Sequence, residues 1–323
     1  MKMRMVSMCP IRRFTKEILA VGLALSLSSC ACAPDSKDVP FDVQKNKLEP
    51  CLKRDKNGAF EAGSVAHLIY CFPGDPSQSS DRKPPVLLLH ELPGLSGKTL
   101  DYARELSKDF TVYVPLLFGE PNMHSIPRGL AAFWLNGEWR GLESGDSKIV
   151  PWVRAVVAEI ERVHPQQHIS VIGNCLTGSL PLALLDNKQI HAVVLAQPTL
   201  PLTIFDNSSE VKKSLGISEG EIKNAKNKSS AKIFYLRFEQ DSISKPEKRE
   251  YVWDTFTEKG VFPDRVSVHV IPHNKALPEN AHSTLIGEWR EKDESGKASR
   301  DARDEVRRFL REPAKFKATS ERE

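Results

Sequence analysis

Three side chains of this 323-residue chain have the types and order that covalent acyl chemistry needs: a cysteine in a small-residue turn, then an aspartate, then a histidine. The run Val171-Ile172-Gly173-Asn174-Cys175-Leu176-Thr177-Gly178 passes from β-branched residues through a turn into helix-forming ones. A sharp strand-to-helix bend exposes a nucleophile, and its glycines let the two backbones approach. A thiol at the start of a helix also feels the positive end of the dipole, which favours the thiolate. Asp241 follows the apolar run ending at Phe238 by three residues, and His282 lies in a loop rich in Asn, Pro and Glu beyond the last apolar run. Each has a plainer reading: a small buried thiol, a cap for a helix starting near Ser244, a solvated loop histidine. Nucleophile, acid and histidine in that order make the joint reading the stronger one.

Something must hold these groups together, and the hydrophobic pattern indicates what. Val86–His90, Phe110–Leu117, His168–Ile172, His191–Ala196, Ile233–Phe238 and Arg265–Ile271 are short apolar runs without polar alternation, as strands covered on both faces are. Between them Lys98–Lys108, Pro151–Val163, Leu176–Leu185 and Lys245–Lys259 have helical spacing, with Ser299–Arg311 as a final helix. Alternating strands and helices predict an α/β fold: a doubly wound, mostly parallel sheet in a three-layer sandwich. In such sheets functional groups gather beyond the carboxyl ends of the strands, where Cys175, Asp241 and His282 fall. The stretch from Asn122 to Lys148, with Phe133, Trp134 and Trp139 among polar residues, reads as an insertion over the sheet edge and a partial lid.

Two further motifs give these positions a context. Leu89-His90-Glu91-Leu92-Pro93-Gly94-Leu95 resembles the His-Glu-x-x-Gly-Leu strand end of the dienelactone hydrolases, and Gly173-Asn174-Cys175-Leu176-Thr177-Gly178 resembles their Gly-x-Cys-x-Gly-Gly elbow. The resemblance runs from about Ala66 to Glu312. It implies an α/β-hydrolase fold and a Cys175, Asp241, His282 triad, with Glu91 meeting the thiol in the resting enzyme. Two positions depart from the family pattern: Thr177 replaces a glycine of the elbow, and Ile286 stands where members acting on dienelactone carry a carboxylate-binding arginine, which argues against that lactone as the substrate. The chemistry expected is hydrolysis of a small-molecule ester, lactone or thioester through an acyl-cysteine, with the backbone N–H groups of Leu92 and Leu176 as the oxyanion hole. Acyl transfer through the same thiol and a scaffold that binds without turnover are the alternatives. No cofactor is expected. No metal is either, since His90 and Glu91 are adjacent on a strand and point to opposite faces, and no H-E-x-x-H spacing occurs.

The ends of the chain read differently. Basic residues up to Lys16, the apolar run Ile18–Leu27, and then Leu27-Ser28-Ser29-Cys30 have the layout of a bacterial lipoprotein signal over 1–29, with Cys30 as the lipidated residue. About ten apolar residues at roughly 1.5 Å each cannot span a hydrocarbon core of about 30 Å, so this is a leader and not a span. Residues 30–62 read as a tether and N-terminal segment, 63–312 as the hydrolase-like domain, and 313–323 as a disordered charged tail. The protein is thus expected in a bacterial cell envelope, held by its lipid anchor. In an oxidising compartment Cys51 and Cys71 are spaced to allow a disulfide. Five basic residues against Glu17 in the leader account for the formal +4 of the whole chain. The remainder is balanced, which argues against nucleic acid as a partner. Oligomeric state is not readable from the sequence.

Overall fold

The structure is a computed structural model that describes residues 43, 46, 48–52, 55–72, 83–203, 206–257, 264–287 and 294–316. The leader of 1–29 and Cys30 lie outside the described residues. Apolar runs form the centre: β5 (Pro85–Leu89), β6 (Thr111–Pro115), β7 (Ile169–Asn174), β8 (Ile190–Ala196), β9 (Lys232–Phe238) and β10 (Val266–Ile271). With β1 (Pro50–Cys51) and β4 (Ile69–Phe72) they make one eight-stranded sheet in the order β1-β4-β6-β5-β7-β8-β9-β10. The pairings from β6 through β10 are parallel, while β4 runs antiparallel to β6 and β1 antiparallel to β4. This is the mostly parallel sheet that the alternation of elements predicts. Residues 60–67 add a separate hairpin of β2 (Phe60–Ala62) and β3 (Val65–His67).

Alternate residues of each strand feed two cores, because side chains in a strand point to opposite faces. Leu87, Leu89, Val171, Val193, Leu195, Ile233 and Tyr235 face one core, and Val86, Leu88, Ile172, Ala192, Val194, Phe234 and Leu236 the other. The second face is covered by α1 (Gly97–Leu106) and the terminal α7 (Glu294–Arg311), through Leu100, Ala103, Leu106, Ala302, Val306 and Phe309. The first is covered by α3 (Ile149–Val163) and α6 (Pro246–Thr257). In α3 the residues Ile149, Val153, Val156, Val157 and Ile160 recur at spacings of three and four, giving the continuous stripe a core-facing helix needs. Ser96 caps α1, its hydroxyl accepting from the Thr99 N–H at 3.2 Å. Among the described residues no helix is long and apolar enough to cross a membrane.

Several boundaries differ from the sequence reading. Within 30–62, read as a tether and N-terminal segment, the described residues from 48 onward are structural: Leu48 and Cys51 pack on the cores, and Phe60 lies under Trp152, whose Nε1–H donates to the Phe60 carbonyl at 3.0 Å. Cys51 and Cys71 sit on neighbouring antiparallel strands with their Cα atoms 5.8 Å apart and are joined as a disulfide. The helix expected over Leu176–Leu185 is two short 3-10 turns, Cys175–Thr177 and Leu180–Leu184. Pro181 supplies no N–H, and the Cys175 carbonyl is taken by the N–H groups of Gly178 at 2.9 Å and Thr199 at 3.2 Å, so a continuous α-helical ladder has no acceptor there. The insertion contains α2 (Ile126–Leu135), and Phe133 and Trp139 are buried against Phe118. At the other end, Phe316 packs on Phe234 and Phe309, so packing continues past 313, where the charged tail was expected to begin.

Candidate active site

Each strand end contributes one piece. β7 delivers Asn174 and then Cys175, which has φ +53° at the first position of its 3-10 turn, a left-handed conformation that a residue with a side chain adopts only where its surroundings force it. The force comes from close approach. A Cβ on Gly173 would lie 2.3 Å from the Thr177 carbonyl oxygen, so only glycine allows the turn to fold back over the strand. Thr177, at the elbow's departing position, is fully buried. Its hydroxyl accepts from the Asn174 N–H at 3.0 Å and lies 3.0–3.2 Å from the carbonyls of Asn174, Leu89 and His90, so it pins the elbow to the end of β5. Cys175 is 8 % exposed, and its sulfur sits 3.6 Å from the hydroxyl of buried Thr199.

Asp241 follows β9 and is inaccessible to solvent. One carboxylate oxygen accepts the N–H groups of Ile243 and Ser244, each at 2.9 Å, and the other lies 2.8 Å from Nδ1 of His282. A carboxylate only accepts, so Nδ1 carries the proton and Nε2 is the free lone pair of the neutral ring. Buried Arg237 fastens the acid's loop by donating to the carbonyls of Asp241 at 2.9 Å, Ser244 at 3.1 Å and Glu239 at 3.2 Å. Nε2 of His282 is buried and has no hydrogen-bond partner among the described residues. Burial pushes this imidazole toward its neutral form. The Asp241 carboxylate and then the Cys175 sulfur more than offset that, holding its pKa well above the ordinary histidine value. The structure therefore brings together the cysteine, the aspartate and the histidine singled out in the sequence, with the imidazole between the other two.

Glu91 lies in the same region and bonds side chains from the end of β8 and from the histidine loop. Its Oε1 accepts the Ser283 hydroxyl at 2.5 Å and its Oε2 the Gln197 side-chain amide at 3.0 Å, while the sulfur's hydrogen-bond neighbour is Thr199. Gln197, Thr199 and Ser283 escaped the sequence reading. The first two follow the end of β8 directly and the third follows His282, so position at a strand end was the available signal. Leu176 lies within the thiol's turn and Leu92 in the turn that follows β5, and Gly129 of the insertion helix packs so tightly on Pro93 that a Cβ there would lie 1.8 Å from the Pro93 carbonyl oxygen. The insertion is thus a wall beside the Leu92–Gly94 turn. Ile286 is buried in the second core and faces packing, not the site. His90 is structural: the Leu117 N–H donates to its Nε2 at 2.9 Å, its Nδ1–H reaches the Glu91 carbonyl at 3.1 Å, and burial lowers its pKa to about 4. Among the described residues no three His, Cys, Asp or Glu side chains converge as a metal site requires.

No protein-family model and no curated protein matches the chain. Solved structures do. A candidate dienelactone hydrolase from Klebsiella pneumoniae subsp. pneumoniae aligns with a TM-score of 0.53 at 16 % identity, covering 80 % of this chain and 97 % of that one. A dienelactone hydrolase-like promiscuous phosphotriesterase from metagenomic libraries aligns with a TM-score of 0.50 at 15 % identity, covering 78 % of this chain and 96 % of that one. At these identities the likeness is one of fold, and the fold is that of the α/β-hydrolases.

Proposed function

We propose that the protein is a hydrolase that cleaves a small-molecule ester, lactone or thioester through a covalent acyl-cysteine on Cys175. The observation that carries this reading is the imidazole of His282, whose Nδ1 is held by buried Asp241 and whose basicity is raised by that carboxylate and then by the neighbouring Cys175 sulfur. In the first half-reaction His282 Nε2 takes the thiol proton and the sulfur attacks the acyl carbon. The carbonyl π pair moves onto oxygen, where the N–H groups of Leu92 and Leu176 receive it. Leu176 is the second residue of a helical turn, whose first N–H groups have no intrahelical acceptor. Collapse of this oxyanion breaks the bond to the leaving oxygen or sulfur, which takes the proton from the imidazolium. In the second half-reaction Nε2 removes a proton from water, the water oxygen attacks the acyl-cysteine, and the sulfur departs and recovers the proton.

Because Ile286 packs into the second core, that position offers no cation to a substrate carboxylate. Turnover of p-nitrophenyl acyl esters of graded chain length by the full chain tests the reading. Cys175→Ala is expected to remove activity, and Cys175→Ala retaining it would end the assignment. Export and lipid attachment at Cys30 belong to the same proposal and are supported by the leader pattern. Cys30→Ala is expected to move the protein from the detergent phase to the aqueous phase in phase partitioning, and unchanged partitioning would remove the anchor.

A further inference from the structure

The two residues that follow His282 are both tied across the sheet. Ser283, nearly buried, donates to Glu91 Oε1 at 2.5 Å and accepts from the Gly287 N–H at 2.6 Å. Thr284, fully buried, bonds through both its N–H, at 3.2 Å, and its hydroxyl to the side-chain oxygen of Gln197. With that oxygen accepting, the Gln197 amide nitrogen is the only group left to face Glu91, and it donates to Oε2 at 3.0 Å. Gln197 itself is fully buried, has φ +37°, and its N–H bonds the Leu236 carbonyl at 2.7 Å. Every donor in this chain of contacts meets an acceptor, and both Glu91 oxygens act as acceptors, as an ionised carboxylate requires.

The geometry points to a clamp in which Glu91 and Gln197, from the ends of β5 and β8, grip Ser283 and Thr284 and so hold His282 between Asp241 and Cys175. Glu91 and Gln197 are then positioning residues acting through the histidine loop. The inference rests on the triad reading for its effect on turnover, but not for its effect on the imidazole. Without the clamp, the ring keeps its Asp241 contact, and the loop's other ties, Arg303 to the Leu285 carbonyl at 2.6 Å and Lys98 to the Gly287 carbonyl at 3.1 Å, lie three and five residues further along. A loosened ring would lose the neighbours that raise its basicity.

The test uses Gln197→Met, Gln197→Glu and the exchange Glu91→Gln/Gln197→Glu in the full chain. It measures kcat and KM on an aryl ester together with the titration of the His282 ring by NMR, that signal being assigned as the one lost in His282→Gln. Gln197→Met is expected to lower kcat at least tenfold with KM within threefold, and to move the His282 titration down toward the ordinary value. Gln197→Glu sets two carboxylates face to face and is expected to lose more as pH rises. Adding Glu91→Gln should restore kcat to within about threefold of the unmodified protein, because every donor again meets an acceptor with the charge moved one residue along. Unchanged kcat and titration in Gln197→Met would overturn the clamp. So would an exchange variant that stays as impaired as Gln197→Glu, or that does not fold, since its bonding pattern is complete. If no ester is turned over at all, the titration still decides the clamp independently of the hydrolase reading.

Discussion

Asp241→Asn separates orientation from architecture at this site. The carboxylate does two jobs with two oxygens: one accepts the N–H groups of Ile243 and Ser244, and the other accepts Nδ1–H of His282 at 2.8 Å. An asparagine keeps the first job through its amide oxygen, so the loop, also gripped by Arg237, stays in place. At the second position its NH2 group now faces Nδ1. Two donors cannot meet, so the imidazole must carry its proton on Nε2, where it points at the sulfur and can accept nothing. The developing imidazolium also loses its counter-charge. Loss of the correct tautomer in comparable triads costs on the order of 10⁴ in kcat, or about 5.5 kcal/mol at roughly 1.4 kcal/mol per decade. The assay is kcat on an aryl ester near pH 7, with thermal unfolding as the control for an intact fold. The His282 titration should fall further in this variant than in Cys175→Ala, since Asp241 acts on it more strongly than the sulfur does. A loss of kcat below tenfold in a folded Asp241→Asn protein would refute the reasoning.

Other outcomes follow from packing and burial. His90 has its pKa lowered from 6.5 to about 4 by burial, so as pH falls through that window the unfolded chain takes up a proton that the folded one refuses. Stability should drop by about 3 kcal/mol between pH 6.5 and 4 and level off below, at about 1.36 kcal/mol per unit; urea unfolding across that range, with His90→Gln showing a smaller change, checks it. Gly173→Ala should destabilise by roughly 2–3 kcal/mol, because its Cβ meets the Thr177 carbonyl at 2.3 Å, and a urea midpoint unchanged by the substitution would contradict the elbow geometry. Removing the disulfide with Cys51→Ser/Cys71→Ser opens a link across a sequence separation of 20 and should cost about 3 kcal/mol by chain entropy, read from the same unfolding curves.

The amino-acid sequence by itself determined the sheet and the elbow. Runs such as Val86–Leu89 and Val193–Ala196 are apolar on both faces, so they must lie between two layers, and Gly173 beside Cys175 marks the one place where strand and turn nearly touch. These signals are local, carried by periodicity and by residues whose size decides the backbone. What holds the histidine was not legible, because the Glu91–Gln197 and Glu91–Ser283 contacts join residues 106 and 192 positions apart and involve ordinary polar side chains with no pattern of their own. The same holds for Phe60 under Trp152, 92 positions away, which joins the N-terminal segment to the core. Only the folded chain decided which polar atoms met, since a hydrogen bond buried from water depends on partners brought close by packing and not on neighbours in the sequence.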